Sequence, residues 1–203
     1  MRYCDYMHPP PFIQSKTIQH TIAFPDAFCA TLMSGVDGRN TIVHPVTLLK
    51  YAQRTITEAV EGIPESEWDA PGVCGFWSVK QVIGHLVGWE HYAEQFLAPF
   101  ANVTLSSPHL ADAQHLSEDD YNDKYGTQAA SRAPAELMAE YQAVAGRIMA
   151  LAKAIPDETW HRLGTLPWSH DTDLEDFVVY TTYGHKYEHA AQIVAFRDRL
   201  RQN

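Results

Sequence analysis

The sequence predicts an all-α fold, a bundle of four long helices preceded by an irregular arm, on three observations. Four separated stretches repeat apolar residues at three- and four-residue steps. Two of them open on side chains placed to cap a helix. No stretch alternates apolar and polar residues between hairpin turns, so strands are absent or minor. Amphipathic helices of this length bury their stripes against one another, and a four-helix bundle is the natural result.

Residues 1–43 stand apart from that pattern. They hold His8-Pro9-Pro10-Pro11, Pro25 and a turn cluster at Ser34-Gly35-Val36-Asp37-Gly38, with no sustained helical period, and read as an extended arm. The bundle then occupies 44–203. Helix one is expected from Pro45 to Gly62, because proline suits a first turn and Leu48, Leu49, Ala52, Ile56 and Ala59 share a face. Helix two starts at Ser78. There Ser78 and Gln81 make a capping box, Trp77 and Val82 a hydrophobic staple, and the stripe continues through Leu86, Trp89, Ala93 and Phe96. Residues 102–131 are polar and acidic and read as a long irregular crossover, which lets helices two and three run parallel. Helix three is expected over Pro134–Ala154. Helix four is expected from about Thr172, boxed with Glu175, to Leu200.

Composition narrows the function classes. The apolar and charged fractions, 45% and 20%, are those of an ordinary globular protein. A formal net charge of -10 with no basic stripe argues against a nucleic-acid partner. The expected partner is a small-molecule substrate. No segment has the apolar length of a membrane span, and none resembles a secretory leader. Cys4, Cys29 and Cys74 are odd in number and lack CxxC spacing, so they read as reduced thiols in a cytoplasmic protein.

The chemistry rests on histidines. His185 and His189, four residues apart, leave one helical face about one turn apart, a spacing that gives a single metal two nitrogens. A shuffled chain of this composition holds about 0.6 such pairs, so two half-buried histidines with ordinary hydrogen bonds stay an alternative. His85 lies inside the core stripe of helix two, where an unsatisfied imidazole costs on the order of 1–3 kcal/mol. If helices two and four are neighbours, the three imidazoles converge and hold zinc, nickel, cobalt or iron with positions left open. That convergence favours a metal over three separately satisfied side chains. His91 points away from the stripe and reads as solvated, and His109 and His115 read as loop residues. His185-Lys-Tyr-Glu188-His189 also matches the H-x-x-E-H protease signature, but the third ligand of that class lies well downstream and the chain ends too soon. Glu188 is the candidate proton acceptor, with a solvated helix glutamate as the alternative. Trp89, Tyr92, Trp168 and Tyr183 are candidates to line an adjacent pocket, with core packing as the alternative for each.

Two segments carry a family resemblance. Trp77-Ser-Val-Lys-Gln-Val-Ile-Gly-His85-Leu86 resembles the opening of helix two in the DinB-like (DNA-damage-inducible) superfamily, and His185-Lys-Tyr-Glu-His189-Ala-Ala-Gln-Ile193 resembles its helix-four motif. Gly72–Lys80, Asp120-Tyr-Asn122 and Leu166-Pro-Trp168 are most similar to the ClbS/DfsB type. The resemblance implies an up-down-down-up four-helix bundle, often dimeric, with a divalent metal on His85, His185 and His189. It also implies either hydrolysis of a reactive small ring or transfer of a low-molecular-weight thiol, in self-protection or detoxification. A binding protein that sequesters a small molecule in the same pocket is the rival.

Overall fold

A computed structural model describes residues 44–202, so the arm at 1–43 lies outside the described residues. Helix α1 spans Pro45–Val60. His44 caps it by accepting the Val46 amide at 3.2 Å, and it stops two residues short of the expected end, just before Gly62 adopts a left-handed φ of 79°. Helix α2, Val79–Leu97, starts on the expected box: the Gln81 amide donates to Ser78 Oγ at 3.3 Å and the Ser78 amide donates to Gln81 Oε1 at 3.0 Å.

The stretch 102–131 is helical rather than irregular. Helix α3 spans Pro108–His115 and helix α4 spans Glu118–Ala129, the latter capped by Ser117 and opened by Glu118, Asp119 and Asp120, which complement the positive helix start. Helix α4 lies along α2 on a glycine face. A Cβ at Gly84 would sit 2.2 Å from the Ala129 Cβ and 2.8 Å from the Tyr125 carbonyl, and one at Gly88 would sit 2.7 Å from the Tyr125 ring. With α4 and α5 on its flanks, α2 buries 16 of its 19 residues rather than one stripe.

Helix α5, Pro134–Ala154, has the expected bounds, and the short α6 follows at Asp157–Trp160. The last rod is three segments. Helix α7, Leu174–Phe177, is boxed by Asp173 and Asp176, one residue later than expected. A π-helical stretch, Val178–Gly184, follows, and α8 runs from His185 to Leu200.

Two apolar clusters fix how the rods run. One gathers Ile56, Val79, Val82, Leu137 and Ile193; the other gathers Leu49, Leu97, Ile148 and Val178. The C-terminal half of α1 therefore meets the starts of α2 and α5 and the far end of α8, which is an up-down-down-up four-helix bundle. Helix α1 packs on α5 and α8, and α2 packs on α5 and, more sparsely, on α8 and the π segment. One ion pair crosses the interior: Lys186 Nζ lies 2.8 Å from Glu90 Oε2, each side chain 2% exposed. That Glu90 oxygen lacks hydrogen-bond geometry, so the contact is ionic rather than directional. Cys74 is buried and disulfide-bonded, which overturns its reading as a reduced thiol and removes the cysteine argument for a reducing compartment.

Candidate metal centre

His85 projects from the middle of α2, and His185 and His189 from the first turns of α8. Helices α2 and α8 run antiparallel and meet at this level, as the Lys186–Glu90 pair one turn away also shows. The three Nε2 atoms form a triangle of 2.7 Å (His85–His185), 3.2 Å (His85–His189) and 3.1 Å (His185–His189). They are the one group of this kind among the described residues that could hold a metal ion.

The outer nitrogens decide what those Nε2 atoms carry. His189 Nδ1 donates to Gln192 Oε1 at 2.8 Å, and the Thr181 backbone lies close enough to the His185 ring to favour its protonated form. Burial pushes His85 and His185 well below the usual imidazole range and His189 down to about 4, and the neighbouring imidazoles push His85 and His185 further down. All three are thus neutral near pH 7. With Nδ1 protonated, His189 presents a bare Nε2 lone pair to the other two rings. Asn122 lies against the His85 ring and favours its protonated form, yet His85 Nδ1 has no partner of hydrogen-bond geometry. The Asn122 Oδ1 is already held by the Trp89 indole N–H at 2.9 Å, so Asn122 is a neighbour of His85 rather than its acceptor.

Imidazole nitrogens this close either share a proton between rings or share a cation, and a divalent ion engages all three at once. Tetrahedral bonds of about 2.0–2.1 Å set ligand nitrogens roughly 3.3 Å apart. The triangle is slightly tighter, so a first-row divalent ion is accommodated by small side-chain shifts. The donor set fits the group.

The centre opens on a cleft of about 60 Å³ lined by Trp77, Trp89, Glu118, Asn122, Tyr180, Thr181 and Glu188 beside the histidines. The Trp77 ring lies 5.1 Å from that of His85, and the Trp89 ring 6.1 Å from that of His185. Of the expected lining, Trp89 and the half-buried Glu188 are present. Tyr92, Trp168 and Tyr183 are not. Tyr92 packs in the core on Trp89 and Phe96, Trp168 packs on Phe96 and Phe177, and Tyr183 stacks on Tyr187. Sequence reasoning used Trp77 only as a staple and Asn122 only as part of a motif, and it missed Glu118 and Tyr180. His91 is half-buried rather than solvated, 2.8 Å from Glu140 and stacked at 4.6 Å on His109, which lies on α3 and not in a loop. His115 closes that same helix.

A buried three-histidine centre in an up-down-down-up bundle defines a metal-binding protein of the DinB-like superfamily. Within it, the chain belongs to the mycothiol maleylpyruvate isomerase N-terminal domain family, whose profile matches residues 49–181. The match takes in His85 and stops before His185, so the second half of the ligand set is read from geometry.

Solved structures share the fold. A protein from Streptococcus pneumoniae aligns with a TM-score of 0.64 at 12% identity over 78% of this chain and 93% of its own. A histidine-to-alanine variant of the mycothiol-dependent maleylpyruvate isomerase aligns at 0.55 and 11% identity over 73% of this chain and 59% of that one. YfiT from Bacillus subtilis, described as a probable metal-dependent hydrolase with an unusual four-helix bundle topology, aligns at 0.54 and 18% identity over 83% and 95%. No curated protein matches the sequence. Among the described residues, no helix is long and apolar enough to cross a membrane.

Proposed function

We propose that the chain is a metal-dependent enzyme acting on small electrophiles, with His85, His185 and His189 holding a divalent ion of zinc, nickel, cobalt or iron. The observation that supports this is three neutral imidazoles whose Nε2 atoms are brought to one point beside an open cleft. A bound divalent ion supplies Lewis-acid chemistry there, lowering the pKa of a water or a low-molecular-weight thiol. The chain's own part is positional and protolytic. The Gln192 carboxamide fixes the His189 ring, and Trp77 and Trp89 wall the cleft beside the histidines. Glu188, whose carboxyl burial pushes up, stands at the cleft to take the proton given up by the nucleophile and return it to the opened ring or leaving group. The reaction class is hydrolysis of a strained ring or thiol transfer to an electrophilic carbon, in resistance or detoxification.

Metal analysis of protein purified without a nickel column tests the reading. About one equivalent is expected in the wild type and a large loss in His85→Ala. Less than about 0.2 equivalents in both would end it. The rival is sequestration without turnover, favoured by one observation: among the described residues no hydrogen bond aims Glu188 at the centre. A single stoichiometric burst with a reactive electrophile would decide for the rival, and continued turnover for the enzyme.

A further inference from the structure

The cleft has a chemical character beyond its imidazoles. Trp77, Trp89 and Tyr180 give it aromatic walls, Glu118 and Glu188 give it carboxylates, and among the described residues no lysine or arginine lines it. Glu188 is half-buried, and among the described residues no hydrogen bond or neighbouring charge acts on its carboxyl. The cation nearest to it in sequence, Lys186, is turned inward to Glu90 and does not neutralise it. A desolvated carboxylate gains most from a cation brought to it, and an indole or phenol face attracts that cation through the ring quadrupole.

We propose that the cleft is a cation-recognition subsite. The molecule presented to the histidine centre carries a quaternary or protonated amine, seated between the aromatic walls and Glu188, and a carboxylate-bearing molecule is turned away. This rests on reading the cleft as the substrate site, and it adds the charge class of the substrate to that reading.

Choline and its uncharged isostere, in which carbon replaces the ammonium nitrogen, separate charge from shape. Titration of the full-length protein by tryptophan fluorescence, both chelator-stripped and cobalt-loaded, is expected to show choline bound at least about tenfold more tightly than the isostere in both forms. In Glu188→Gln the preference is expected to fall to about twofold or less. Tyr180→Ala, at a position 61% exposed and therefore safe for folding, is expected to weaken choline and leave the isostere nearly unchanged. Equal affinities, an unchanged ratio in Glu188→Gln, or no saturable binding of either probe would overturn the subsite. Choline preference in a protein that takes up no cobalt would support the subsite and overturn the metal reading. Cobalt uptake without choline preference would do the reverse.

Discussion

Lys186 and His185 are neighbours in sequence with opposite solutions to burial. The imidazole is buried neutral, whereas the ammonium faces Glu90 at 2.8 Å in a nearly solvent-free interior. Such a pair gives little net stability as a pair, and removing one member leaves a stranded charge. Lys186→Met is accordingly expected to cost on the order of 3–5 kcal/mol, and Lys186→Met with Glu90→Leu to recover most of that loss. Urea unfolding of the two variants measures the difference; equal losses would mean that the charges do not feel each other. Neither partner was singled out from the sequence. Glu90 sits between the apolar Trp89 and the core residue Tyr92, and nothing in local spacing marks a lysine that will cross to another helix. The histidines were legible because three residues of one metal-ligating type fell on core-facing positions. The cleft residues were less so, since Glu118, Asn122 and Tyr180 converge only through tertiary packing.

Helices α1, α2 and α5 could be read from the chain because their starts carry proline or capping chemistry and their buried faces are large and apolar. Helix α4 could not. Its start signal, Ser117 with three acids, is present, but the face it buries is Tyr121, Gly126 and Ala129, too small to register as an apolar stripe. Its partner face on α2 is equally inconspicuous, being Gly84 and Gly88. A methyl at Gly84 meets backbone as well as side chain, so Gly84→Ala is expected to destabilise by about 1–3 kcal/mol and to move Glu118 and Asn122 away from the cleft. Guanidinium unfolding together with Trp89 emission reads both effects. An alanine accepted with unchanged stability and spectrum would show that α4 rides less closely than the contact distances state. The π segment was also invisible, because its wider ladder has no residue signature of its own.

For the molecule as a whole, acid stability is set by histidines that are buried without charge. His85, His185, His189 and His109 all titrate below their ordinary range, mainly through burial, the last two at about 4 against a usual 6.5. Below pH 6.5 the unfolded chain takes up protons that the folded one refuses, so stability falls as pH drops from about 6.5 towards 4 and is level just above that range. Thermal unfolding of metal-free protein across this window measures the slope, and His109→Gln, away from the centre, should lessen it. A flat profile would contradict the neutral burial of the cluster. The loosely wound turn ahead of His185 has a consequence on another timescale. Its hydrogen bonds span one residue more than those of an ordinary helix, so it carries a surplus position that a single-codon deletion could remove. The imidazoles, moored downstream by Ile193 and Phe196, would stay in place while Tyr180 and Thr181 swung out of the opening. Descendants of this chain could thus change what they admit without surrendering what they grip.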